Sequence, residues 1–203
     1  MLSLDALIRE AEIAHGHLCA GQILGVRMAM LGLAKLGIDD PRGKDRKRLV
    51  TFVEIDRCAT DAIGVVTGCR LGKRALKFRD WGKMAATFVD LGPQPRLPGS
   101  DNWYKAIRIA AKESSKKLSR EMHPEIENKN QQQMLAYREM KDEDLFSIQW
   151  VKVELPPEEF PGYKADRIVC AECGEGINFH REVERGGRLL CRACAGDKYY
   201  EPM

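Results

Sequence analysis

The chain has 203 residues, 44% of them hydrophobic and 31% charged, which suits one main domain with a small appendage and excludes a fibrous or disordered chain. No run approaches the roughly 18 uninterrupted apolar residues of a membrane helix, and Asp5, Arg9 and Glu10 stand where a signal peptide would be apolar, so a cytoplasmic protein without membrane attachment is expected. A formal net charge of +3 selects no class of partner.

Leu4, Leu7, Ile8 and Ala11 recur at helical spacing behind a cap at Ser3, predicting a helix that ends near Ala14. From Gly21 to Leu36 a second helix is apolar on nearly every side, as a buried helix is, and Gly21, Gly25 and Gly32 would let another backbone approach it. Leu49 to Ile55 reads as a strand, and Thr60 is expected to cap a short helix running to Val66. Arg74 to Asp80 and Met84 to Leu91, with Gly82 between them, resemble a hairpin. Pro93, Pro95, Pro98 and Gly99 break the chain. After them Ser100 or Asp101 would cap a long helix with Trp103, Ile107, Ala110, Ala111 and Leu118 inward. A further helix over Asn130 to Lys141 and a strand over Phe146 to Leu155 complete a mixed helix and sheet domain, residues 1–155, of the α+β class. Pro156, Pro157, Pro161 and Gly162 mark a linker over 156–164, and a small module occupies 165–203.

Four of the seven cysteines fall in that module as Cys170-x2-Cys173 and Cys191-x2-Cys194, separated by seventeen residues. This is ribbon or treble-clef spacing, in which two knuckles bring four thiolates around a tetrahedral zinc. Four sulfurs leave no position for water, so the metal is structural: a segment this short buries too little apolar area to fold alone, and metal binding supplies the difference. Asn178 to Arg185, Gly186-Gly187 and Arg188 to Leu190 read as a hairpin, and His180 becomes a ligand only if a cysteine is displaced. Seven Lys and Arg against seven Asp and Glu from Lys164 onward leave no net charge, and the zinc site adds about two negative charges. That balance argues against a nucleic-acid reader, which would present a basic face.

His15-Gly16-His17-Leu18-Cys19 places three potential ligands within five residues and holds half of the four histidines. In an extended segment all three side chains share one side; in a helix only His15 and Cys19 do. Cys58 stands just before a predicted helix start, where the helix dipole favours a thiolate. His17, Cys19 and Cys58, with His15 or water as fourth donor, would form a mixed nitrogen and sulfur site for a second divalent metal, zinc, with an exchangeable position. The alternative is that Cys58 and the histidines are ordinary buried residues, the reading favoured for Cys69. If the site is reactive, Asp61 or Glu54 is the nearest candidate base. Arg42, Lys44, Arg46, Lys47 and Arg48, and Arg108, Lys112, Lys116, Lys117 and Arg120, read as solvated faces. No phosphate-cradling loop, nucleophile elbow or zincin helix is present.

The run from His15 through Gly21-Gln22-Ile23-Leu24-Gly25 to Met28, then Glu54 with Cys58-Ala59-Thr60-Asp61, then Gly68-Cys69 and Asp80-Trp81-Gly82-Lys83, resembles the FmdE family of formylmethanofuran dehydrogenase subunits over residues 1–155. Members of that family often carry a four-cysteine finger similar to residues 170–194. The resemblance implies an α+β domain, a metal bound at His17, Cys19 and Cys58, and a homodimer. It also implies an accessory role beside other dehydrogenase subunits that carry the tungsten or molybdenum redox chemistry. A binding module that recruits a protein or a small-molecule ligand such as a pterin is the competing expectation.

Overall fold

The protein is described from a computed structural model, over residues 2–92 and 102–203. The chain divides into two compact units, Met1–Leu155 and Pro156–Met203. Among the described residues no helix is long and apolar enough to cross a membrane.

The first unit opens with α1 (Leu4–His15), whose N-terminus is capped by the Ser3 hydroxyl accepting from the Ala6 N–H at 3.3 Å. Leu7, Ile8 and Ala11 are buried beneath it. Gly16 ends the helix at φ 94°, a left-handed conformation that turns the chain within one residue. α2 (Ala20–Leu36) is the central helix, with Ile23, Val26, Met28, Ala29 and Leu33 fully buried. Its glycines serve close contact: a Cβ on Gly25 would lie 2.8 Å from the Ala59 Cα, and one on Gly32 would collide with the Phe88 ring.

Strands β1 (Leu49–Val53), β2 (Leu76–Phe78), β3 (Ala85–Asp90), β4 (Trp103–Ala111) and β5 (Phe146–Glu154) form one sheet in the order β2-β1-β3-β4-β5. β2 runs parallel to β1, and every other neighbouring pair is antiparallel. Helix α3 (Cys58–Thr67) packs on α1 and α2, and α2 lies against β3 and β4. Phe88, Ile107, Ile109 and Phe146 meet the helices from the sheet side. Helices α4 (Ser114–Met122), α5 (Lys129–Glu139) and the single turn α6 (Asp142–Leu145) join β4 to β5. The mixed helix and sheet class expected of the sequence is the class observed.

Three local expectations are corrected. The segments around Gly82 do not form a hairpin, because β2 and β3 pair with opposite edges of β1. The Trp81 and Lys83 N–H groups donate to the Glu54 carbonyl, so the connection passes across the end of β1 instead of turning back. The long helix expected from Trp103 is strand β4, followed by a nine-residue helix. Tyr104, Ala106, Ile107 and Ile109 are all buried, so apolar residues occupy both faces of the strand and the alternation that identifies one is lost. The caps proposed at Ser100 and Asp101, and the break at Pro93 to Gly99, lie outside the described residues. Thr60 does not cap α3: the helix starts at Cys58 with Arg57 as N-cap, and the Thr60 hydroxyl donates to the Ile55 carbonyl at 2.5 Å.

In the second unit, β6 (Ile168–Val169) pairs with β7 (Gly176–Ile177), and β8 (Val183–Arg185) pairs with β9 (Arg188–Leu190). Gly186 and Gly187, at φ 56° and 73°, make the second turn. Cys170, Ile177, Leu190 and Ala195 are its buried cluster, too small to hold a fold unaided.

Candidate metal centres

In the second unit each cysteine pair sits at a knuckle. Cys170 closes the first with its N–H on the Glu175 carbonyl and its carbonyl accepting from Gly174, and Ala195 N–H returns to the Cys191 carbonyl in the second. The Ala171 N–H donates to the Leu189 carbonyl at 2.9 Å and ties the two halves together. All four sulfurs lie within 4.8 Å of one another, and Cys173 and Cys191 Sγ are 3.9 Å apart. A tetrahedron with zinc–sulfur bonds of about 2.3 Å has edges of about 3.8 Å, so the thiols are already arranged to receive zinc. The backbone N–H of Cys191, 3.2 Å from Cys170 Sγ, leads the interactions that lower the Cys170 thiol to about 6. Cys194 is pushed above the ordinary thiol range, first by the neighbouring Cys191 thiol. Sulfurs this close cannot all ionise without a cation, which suits them to one. His180 stands outside the cluster, 3.5 Å from Glu182.

In the first unit, the end of α1, the Gly16 turn and the start of α2 bring the donor atoms of His15, His17 and Cys19 within 4.8 Å of one another. The Gly16 turn lets His17 fold back on His15, with ring centroids 4.7 Å apart. Cys19 is the N-cap of α2 in extended conformation, and its side chain makes no capping hydrogen bond, so the thiol is free for another role. The Asn130 Oδ1 accepts from the Ala20 N–H at 3.2 Å, anchoring this turn from a helix 110 residues away. The Gln22 side chain, fully buried, donates to the Ala11 carbonyl and fixes α2 against α1.

Cys58 is the first residue of α3, and burial first, then the neighbouring Cys19 side chain, pushes its thiol up. Its sulfur is not among the donors that lie within 4.8 Å of one another, which are those of His15, His17 and Cys19. The His15 Nδ1 lies 2.8 Å from the Asp61 carboxylate, and because an ionised carboxylate only accepts, Nδ1 is the donor; in the neutral ring this tautomer leaves Nε2 with its lone pair. His15, Asp56, Arg57, Cys58, Thr60 and Asp61 line one open cleft of about 340 Å³.

Glu54 is placed differently. It is 2% exposed, and both carboxylate oxygens accept from Arg108 at 2.7 Å. This bidentate pair raises the Arg108 guanidinium further and joins the end of β1 to β4. Glu54 does not line the cleft beside His15. Cys69 is 3% exposed, accepts from the Thr51 hydroxyl and is pushed up by burial, as a core thiol is. Of the basic runs, Arg42 pairs with Glu10, Arg48 with Asp45 and Asp90, and Lys116 with Glu113. Sequence reasoning missed Asn130, whose contact is set only by the tertiary fold, and Arg27. Arg27 donates to the Tyr137 carbonyl at 2.7 Å, to the Met140 carbonyl and to Asp142 at 2.6 Å, binding α2 to the end of α5.

Residues 165–200 match the prokaryotic dksA/traR C4-type zinc finger, which together with the four-sulfur cluster supports a structural zinc. A probable S-adenosyl-L-methionine-binding protein of Archaeoglobus fulgidus is 30% identical over 97% of this chain, and the chain spans about half of that relative, 54% of its length. A tungsten formylmethanofuran dehydrogenase FmdE-like protein of Syntrophus aciditrophicus superposes with a TM-score of 0.62 at 20% identity, covering 98% of this chain and 96% of its own. That likeness is one of fold. The family model described as FmdE, molybdenum formylmethanofuran dehydrogenase operon, matches residues 14–147, which take in every donor and cleft residue of the first unit, and the chain belongs to that family.

Proposed function

We propose that the first unit is a metal-binding domain whose donors are His17, Cys19 and Cys58, with His15 as the fourth, and whose ion is zinc. The observation that carries this reading is the convergence of His15, His17 and Cys19 within 4.8 Å, with Cys58 facing Cys19 across Gly21. Two imidazoles and two thiols are a donor set suited to zinc. Asp61 holds the His15 ring with Nε2 as the donor, the carboxylate–histidine arrangement that orients metal ligands elsewhere. With all four donors in place a bound zinc would be closed, and it would supply a Lewis acid with a water of lowered pKa only where water displaced His15 as the fourth ligand. Proton transfer beside it falls to Asp61, since Arg108 occupies both oxygens of Glu54.

In the cell this domain acts as an accessory subunit, assembled as a homodimer beside partner subunits of a formylmethanofuran dehydrogenase-type enzyme in the cytoplasm. The operon named in the family description supports that association. The name of the Archaeoglobus relative favours a second reading, in which the cleft beside His15 binds a small molecule. Metal analysis of purified wild type beside the Cys19→Ser, Cys58→Ser double variant tests the first. Two zinc ions per chain in wild type and one in the variant are expected, and one in both removes the second centre. Titration calorimetry with S-adenosylmethionine tests the other, which fails if no heat of binding is seen.

A further inference from the structure

We propose that Cys19 and Cys58 form a dithiol redox site that takes a low-molecular-weight disulfide as its substrate and closes an internal disulfide across the starts of α2 and α3. Its competition with zinc rests on the donor set proposed above; the disulfide itself does not.

The two thiols come from separate helices held at fixed separation. Gly25 lets α2 settle directly on the Ala59 backbone of α3, and four residues earlier Gly21 occupies the gap between the cysteines. A Cβ on Gly21 would stand 3.5 Å from the Cys58 Cβ and 3.7 Å from the Cys19 Sγ, so the two cysteines flank this one backbone position. Each cysteine lies at a helix N-terminus, Cys19 as the N-cap of α2 and Cys58 as the first residue of α3. Cys58 lines the open cleft and Cys19 does not, which gives the two sulfurs different parts.

Cys58 is the attacking sulfur. Its thiolate forms a bond to one sulfur of the incoming disulfide as that disulfide's S–S bond breaks, and the other half leaves as a thiol. The Cys19 thiolate then attacks the Cys58 sulfur of the mixed disulfide and expels the second thiol. Two protons pass from the protein thiols to the two leaving groups, and two electrons reduce the incoming S–S bond. The product lacks both thiolate donors, leaving only His15 and His17, a set that holds zinc far more weakly. Cys69 takes no part because it is enclosed by the core beside Thr51.

The test treats the full chain, either stripped by chelator or loaded with zinc, with oxidised glutathione and maps linked peptides by mass. The expected result is a Cys19–Cys58 peptide, two hydrogens lighter, in the stripped protein. In the loaded protein that peptide should form about tenfold more slowly, releasing one zinc from the first unit per disulfide. Peptides containing Cys170 to Cys194 are scored separately. In Cys19→Ser the reaction should stop as a glutathione adduct on Cys58. If stripped wild type instead accumulates that same adduct, or remains unmodified at both cysteines, the dithiol site is overturned while zinc binding stands on the metal analysis. If the linked peptide forms equally fast with and without zinc and no zinc is released, the dithiol site stands and the two cysteines are not metal donors.

Discussion

His15 donates from Nδ1 to the Asp61 carboxylate at 2.8 Å, joining the last residue of α1 to the first turn of α3. Asp61→Asn keeps the shape of the side chain but removes the charge that fixes the histidine tautomer. Zinc affinity at the first-unit site should fall by about 10- to 100-fold in a chelator competition, with the unfolding midpoint unchanged. Unchanged affinity would show that His15 is not a donor.

Gly25 meets the Ala59 backbone, where an added Cβ would lie 2.8 Å from Cα. Backbone cannot step aside as a flexible side chain can, so Gly25→Ala should destabilise the first unit by about 1–3 kcal/mol in urea unfolding. The same variant should loosen the Cys19 and Cys58 arrangement. A stability equal to wild type would mean that α2 and α3 are not in contact at this point.

The Glu54 and Arg108 pair holds β1 to β4 with both carboxylate oxygens engaged. Arg108→Met leaves the buried carboxylate without its partner and should cost about 3–5 kcal/mol. Adding Glu54→Gln removes that unpaired charge and should recover part of the loss, read from denaturant midpoints of the two variants. A double variant less stable than Arg108→Met would contradict this assignment.

Much of this fold is legible in the sequence where local chemistry decides it. The Ser3 cap, the apolar run of α2 and the two glycines between Arg185 and Arg188 act within a few residues. The four cysteines announce their site because their spacing alone makes a knuckle pair. Where the sheet buries both faces, as at Tyr104 to Ile109, periodicity carries no information and a strand looks like a helix. The His15, His17 and Cys19 cluster is visible as composition, but its closure depends on the Gly16 turn, on Asp61 and on Asn130, 110 residues beyond Ala20. Nothing near Glu54 in sequence tells that Arg108 will claim it.

Acid should release the structural zinc late. Hydrogen bonds hold Cys170 down to about 6 from an ordinary value of 9. A depressed thiol contributes stability above its ordinary value and loses that contribution as pH falls through the folded one, and bound zinc lowers the release point further. Zinc loss from the second unit, followed with a colorimetric chelator, should therefore have its midpoint below pH 6. A midpoint above pH 7 would contradict the arrangement of thiols around Cys170.

In the proposed function, His15, His17, Cys19 and Cys58 hold one zinc in addition to the four-cysteine centre. Anomalous diffraction recorded on either side of the zinc absorption edge tests it most directly. Two peaks per chain are predicted, one among Cys170, Cys173, Cys191 and Cys194, and one about 2.3 Å from the Cys19 and Cys58 sulfurs and about 2.1 Å from the histidine nitrogens. A single peak at the four cysteines, in crystals grown with zinc in excess, would contradict it.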